Sequence, residues 1–92
     1  LVFDLRQNAP NPFNPRTALR FSIPEAGVVQ LAIYDVNGRL VRTLVDGNRV
    51  AGVHEVTWDG MDDAGRAVAS GVYMCRLTNQ REAMVRRMTL VR

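Results

Sequence analysis

Apolar and polar positions alternate with period two along almost the whole chain, and no window carries a helical stripe. In TALRFSI, residues 17–23, Leu19, Phe21 and Ile23 share one face while Ala18, Arg20 and Ser22 take the other. VVQLAIYD repeats the pattern, with Val29, Leu31 and Ile33 against Val28, Gln30, Ala32 and Tyr34. Pro24-Glu25-Ala26-Gly27 between the two runs is a turn signal. Asn37-Gly38 tolerates positive φ at both central positions, so it predicts a hairpin closed by a two-residue type I′ turn, with RLVRTLV as the return strand. DGNRVAG, residues 46–52, reads as a loop and VHEVTWD as the next strand, with His54, Val56 and Trp58 on one face. A polar, turn-rich segment, GMDDAGRAVASG, leads to GVYMCRLT; NQRE turns the chain, and AMVRRMTLV closes the sheet.

Counting Val2 to Arg6 as a short opening strand gives about seven strands, with turn signals about every 8–12 residues. That pattern predicts an all-β, immunoglobulin-like sandwich of antiparallel strands. Trp58 is the expected centre of its core, in a strand expected to be central. The Cys…Trp…Cys spacing of antibody domains is missing. Residues 8–15, NAPNPFNP, break the alternation and mark the one shift in composition. The expected organisation is therefore an extended N-terminal arm over residues 1–16 and a sandwich over residues 17–92, with no internal repeat.

Composition narrows the function. At 92 residues with 47% hydrophobic content the chain is one small domain. Its apolar runs are too short to insert in a membrane. The first twenty residues carry Asp4, Arg6 and several amides, unlike a signal peptide, and the chain does not start with Met; a piece of a longer precursor is expected. The formal charge is +3 with twelve basic residues, all of them Arg. This composition suits acidic partners, but a genome biased to Arg codons or adaptation to heat accounts for it better, since no run of basic residues exceeds two. Acidic residues are interspersed and the aromatics do not interleave with a basic stripe, so nucleic-acid binding is not expected.

Catalytic chemistry finds little to stand on. His54 lies in a strand, Ser70 lacks the G-x-S-x-G flanks of a nucleophile elbow, and Cys75 in an alternating strand reads as a buried, inert thiol. No glycine-rich phosphate loop occurs. Asp59, Asp62 and Asp63 are a weak candidate for Ca²⁺, but their spacing does not fit an EF-hand. They are better read as Asx turns that accept backbone N–H groups. No enzyme activity, cofactor or metal is expected.

Several stretches together carry a resemblance: QNAPNPFNPRTALRFSIPEAG, LAIYDVNGRLVRTLVDG, AGVHEVTWDGMDDAGRAVASGVYMCRL and RRMTLVR. In this order they resemble the immunoglobulin-like C-terminal domains of bacterial secreted proteins. That group is similar to the immunoglobulin-like domain of the flagellar hook-capping protein, and it includes the type A C-terminal sorting domains of the type IX secretion system. The resemblance runs from about Leu5 to Arg92, on PNPF, D-x-x-G-R, W-D-G-x-D-x-x-G, S-G-V-Y and a basic last strand. It implies a sorting and anchoring module that carries a cargo through the periplasm and outer membrane to the cell surface. Its implied partners are secretion or sortase machinery. The residues it points to are Pro10, Asn11, Pro12 and Phe13, then Asp35, Gly38 and Arg39, and Arg87 and Arg92 in the last strand. The family often has Lys in that strand, and an aromatic where Cys75 stands.

The resemblance also bears on the arm. Proline fixes φ and removes a donor, so NAPNPFNP is expected to run extended and polyproline-like. Phe13 is expected to plug the end of the sandwich, and the Asn side chains to bond exposed backbone, without ladder bonds for the segment itself. The arm then serves as a stiff lid, as a rigid junction for export or processing machinery, or as both. The alternative function is a structural or adhesin-like subunit that assembles with neighbouring subunits through edge strands or its N-terminal arm.

Overall fold

The computed structural model describes all residues from Leu1 to Arg92. Seven strands form: β1 (Asp4–Leu5), β2 (Thr17–Ile23), β3 (Gly27–Tyr34), β4 (Leu40–Arg49), β5 (Gly52–Trp58), β6 (Gly71–Thr78) and β7 (Ala83–Leu90). They make a three-stranded sheet, β1-β2-β5, and a four-stranded sheet, β4-β3-β6-β7. Every strand pairing within the sheets is antiparallel. The result is the expected immunoglobulin-like sandwich.

The alternation sets the faces. Leu19, Phe21 and Ile23 of β2 pack on Val29, Leu31 and Ile33 of β3, with Tyr73, Cys75 and Leu77 of β6 and Met88 and Leu90 of β7. Each is buried because period two sends every second side chain of a strand into the gap between the sheets. Ala32 is the exception: it stands in the outward phase and is nevertheless buried.

Three local expectations are corrected. The stretch 46–52 is not a loop: β4 continues to Arg49, pairing Gln30 with Asp46, Val29 with Gly47 and Gly27 with Arg49. Its polar letters reflect an edge strand whose Asp46, Asn48 and Arg49 face solvent, and charge is how edges resist unwanted pairing. Trp58 is fully buried, but β5 is an edge strand rather than a central one. The first hairpin is not closed by a type I′ turn, because only Gly38 in it has positive φ, at 79°.

That hairpin turns over three residues, Val36 to Gly38. The Gly38 N–H donates to the Asp35 carbonyl and the Asp35 N–H to the Arg39 carbonyl, both at 3.0 Å. This is a type I turn followed by a left-handed glycine. The Asp35 carboxylate selects it by accepting the N–H groups of Asn37 (2.9 Å) and Arg39 (3.0 Å). The same device recurs at Asp62-Asp63-Ala64-Gly65-Arg66. Asp62 Oδ1 accepts from Ala64 (3.0 Å) and Arg66 (2.9 Å), and Gly65 also has φ 79°. D-x-x-G-R is thus a five-residue internal repeat that the sequence reading passed over.

Candidate functional site

The arm is where the chain departs from a plain sandwich. From Phe3 onward the arm packs against the sheets: Leu5 of β1 pairs with Phe21 of β2, and both Leu5 and Phe13 belong to the hydrophobic core, while Leu1 and Val2 are exposed. The path of residues 10–15 is bent rather than extended, with isolated bridges at Ala9 and Phe13. The bonds Ala9-Pro10, Asn11-Pro12 and Asn14-Pro15 are cis.

Buried polar groups hold this bend. Asn8 Nδ2 donates to Thr17 Oγ1 (2.9 Å) and to the Pro10 carbonyl (3.1 Å), and Thr17 Oγ1 donates to that same carbonyl at 2.8 Å. Both side chains are buried, and no buried side-chain nitrogen or oxygen lacks a partner. Pairing is what makes such burial affordable. Ala9 and Ala18 exchange backbone bonds of 3.1 and 2.9 Å.

The arm then covers the outer edge of β7. Gln7 Nε2 donates to the Arg87 carbonyl at 2.7 Å, and Asn11 Oδ1 accepts from the Thr89 N–H at 3.0 Å. The Phe13 N–H donates to the Thr89 carbonyl (3.0 Å), and the Phe13 carbonyl accepts from the Val91 N–H (2.9 Å). These two bonds form a one-residue parallel bridge, so the segment does have ladder bonds, against expectation. Asn11 imitates a backbone acceptor one step earlier.

Phe13 itself turns inward. Its ring lies 5.6 Å from Trp58 at 54°, and Trp58 meets Tyr73 edge-on at 5.4 Å. Trp58 Nε1 donates to the Met61 carbonyl at 2.9 Å, and Tyr73 Oη to the Ala69 carbonyl at 2.7 Å, so each aromatic also pins the 59–70 connection. Burial, and then the charge of Asp35, raise the Tyr73 pKa, while Arg92 pulls it back down. Pro10, Asn11 and Pro12 remain exposed on the outside of the plug.

The acidic loop is built into the same end. Asp59 Oδ1 accepts from the Met61 N–H (3.0 Å) and from Arg42 (3.2 Å). Asp63 Oδ1 accepts from the Thr43 N–H (3.0 Å), and the Asp63 N–H donates to the Val41 carbonyl (2.9 Å). The loop therefore closes part of the β4 edge, as the arm closes β7. Asp59 and Asp62 serve separate turns, Asp63 reaches instead to Thr43 of β4, against the Asx-turn expectation for it, and Asp59 and Asp63 share Arg42.

Arg92 is equally engaged. Its Nε donates to the Val68 carbonyl (2.6 Å), Nη2 to Gly60 (2.7 Å) and its backbone N–H to Ser70 Oγ (2.9 Å). A Cβ on Gly60 would lie 2.9 Å from Arg92 Nη2 and 3.1 Å from the Pro15 carbonyl, at φ 76°. Arg87 lies apart on the exposed face of β7 and offers the arm only its carbonyl. Arg39 is exposed at the first hairpin. His54 stacks on Phe21 at 5.2 Å and meets the Val50 carbonyl through Nε2 at 2.8 Å. Burial pushes the Cys75 thiol up to about 12. Sequence reading anticipated that Asn side chains of the proline stretch bond backbone, as Asn8 and Asn11 do, but missed Gln7 and Thr17, whose only signal was their place on either side of that stretch.

Comparison with known proteins places this architecture. A family model described as the FlgD Ig-like domain matches residues 15–90. The basal-body rod modification protein FlgD of Salmonella typhimurium is 45% identical over 53 residues, covering 58% of this chain and 23% of that protein. The chain thus spans under a quarter of that relative's length. Dimeric latent PorU of Porphyromonas gingivalis matches 98% of this chain and 9% of its own, at 26% identity and TM-score 0.76. PorZ, described as an essential bacterial surface component of the type IX secretion system of the same organism, shares the fold. It is 21% identical with TM-score 0.64, over 98% of this chain and 11% of its own.

Proposed function

The chain belongs to the family of FlgD Ig-like domains, and from that premise we propose that it is a non-catalytic sorting and anchoring module. It carries a secreted bacterial protein to the cell surface by engaging secretion or sortase machinery. The observation that carries this reading is convergence: PNPF, W-D-G-x-D-x-x-G, S-G-V-Y and the last arginine meet around Phe13, Trp58, Tyr73 and Arg92. The exposed Pro10-Asn11-Pro12 ridge over the Phe13 plug is then a rigid surface for that machinery. The likeness to PorU over 98% of the chain and the fold shared with PorZ support a type IX route. The polar side chains of this end are spent on turns and edges, which fits a recognition module better than a reaction centre.

Fusing residues 1–92 behind a periplasmic reporter, in a bacterium with a type IX system, tests this. The reporter is expected at the surface or in the medium. Changing Pro10 and Pro12 to Ala is expected to reduce its export, and a melting curve of the same variant separates a lost contact with the machinery from a loosened arm. A folded fusion held entirely in the periplasm would contradict the reading.

A second reading, assembly with neighbouring subunits, draws support from one edge. β5 pairs only with β2, so its far side lacks the cover that the arm gives β7. Pairing there would show as concentration-dependent association by light scattering. Assembly by the arm would first require undocking Phe13.

A further inference from the structure

The outer face of the four-stranded sheet is not a plain solvated surface. Strand register sets two rows across it. Leu40, Tyr34, Met74 and Arg87 lie side by side on β4, β3, β6 and β7; Thr43, Ala32, Arg76 and Val85 form the next row. On β6 and β7 an apolar side chain and an arginine therefore alternate both along the strands and across them. Val36, Leu40 and Val85 are 66%, 53% and 52% exposed. Between the first hairpin and this checkerboard lies a groove of about 370 Å³, lined by Tyr34, Val36, Met74, Arg76 and Val85.

The arginines here are free. The ion pairs of the protein join Arg20 to Glu55, Arg42 to Asp59 and Asp63, and Arg86 to Asp4. Arg76, Arg87 and the nearby Arg39 have no acidic partner. The one carboxylate lining the groove, Asp35, is folded into its own turn. An arginine fork left open beside apolar side chains matches a carboxylate whose neighbour is apolar. Met74 adds an adaptable contact.

We propose that this face binds an extended segment of a partner protein in which every second residue faces the sheet and these facing residues are alternately acidic and apolar. Side chains two apart on an extended chain are spaced like Met74 and Arg76 on β6, so such a segment running along the strands matches the checkerboard position by position. A second copy of this chain meets the face less well, since it would set Arg76 and Arg87 against arginines. The surface is distinct from the Pro10–Pro12 ridge, and the proposal does not depend on the sorting reading.

The test is titration of the intact domain with a short synthetic peptide of repeating Leu-Ser-Glu-Ser, which presents leucine and glutamate in turn on one face, followed by amide NMR shifts. Shifts are expected at Tyr34, Met74, Arg76, Val85 and Arg87. In the double variant Arg76→Glu, Arg87→Glu, affinity is expected to fall at least about tenfold while the urea midpoint holds. That variant should instead bind the same peptide with lysine in place of glutamate. Absence of binding, equal binding to the variant, or equal binding of polyglutamate or of anionic vesicles would overturn the proposal. So would a dimer through this face.

Discussion

Phe13 and Trp58 stand 45 residues apart in sequence yet meet with ring centroids 5.6 Å apart, one from the arm and one from the end of β5. The contact explains why an aromatic sits among three prolines. The prolines and Asn8 shape a bend, and the bend delivers Phe13 to the open end of the core. Removing its ring leaves a cavity against Trp58. Phe13→Ala is expected to cost about 3–5 kcal/mol in urea unfolding. A loss below about 0.5 kcal/mol, as for an exposed site, would mean that the plug is not seated.

Trp58 tests the same end from the other side. Trp58→Phe keeps most of the apolar volume but removes the indole donor to the Met61 carbonyl, leaving that carbonyl to Arg42 Nη1 at 3.2 Å. A loss of about 1–2 kcal/mol is expected, from one lost hydrogen bond and some lost packing. Trp58→Ala is expected to lose about 3–5 kcal/mol. A Trp58→Phe domain as stable as the parent would contradict the role given to the bond.

The two D-x-x-G-R turns should respond alike. Asp35→Ala and Asp62→Ala each remove an acceptor of two N–H groups. Each is expected to cost about 0.5–2 kcal/mol, as for loss of a capping side chain. The Asn variants keep an acceptor and are expected to lose less. An Asp35→Asn domain as unstable as Asp35→Ala would show that charge, not the turn, matters.

Two buried groups set the alkaline limit. The Cys75 thiol stays protonated when folded to about 12, against about 8.5 when unfolded. A raised folded pKa means that its contribution is fully present below the unfolded value and is lost as pH rises through the folded one. Tyr73 shifts in the same direction. Stability is therefore expected to decline between about pH 8.5 and 12, and Cys75→Ala should flatten the Cys75 part of that decline. Rapid labelling of Cys75 by a thiol reagent in the native state at pH 8 would contradict its burial.

The sandwich was legible because period two survives in β2, β3, β6 and β7, where the inward residues are apolar save for Thr17 at the start of β2 and Arg86 in β7. β4 hid its second half because an edge strand fills its outward positions with Asp46, Asn48 and Arg49, the letters of a loop. The first turn was misread because Asn37-Gly38 signals one geometry, while Asp35, two residues earlier, enforces another with its carboxylate. For the arm, sequence suggested the burial of Phe13 but not its bridge to β7. That bridge depends on Leu90, 77 positions away, and no local pattern encodes such a pairing.

The central claim is that the arm completes the fold by closing the β7 edge. Amide hydrogen exchange of the intact domain reads it directly at Phe13, Thr89 and Val91, whose N–H groups form the junction. The account predicts protection at all three close to that of Leu31 in the central strand β3, since the arm and the core would open together. Exchange of these three amides at the rate of an exposed loop, with Leu31 protected, would contradict it.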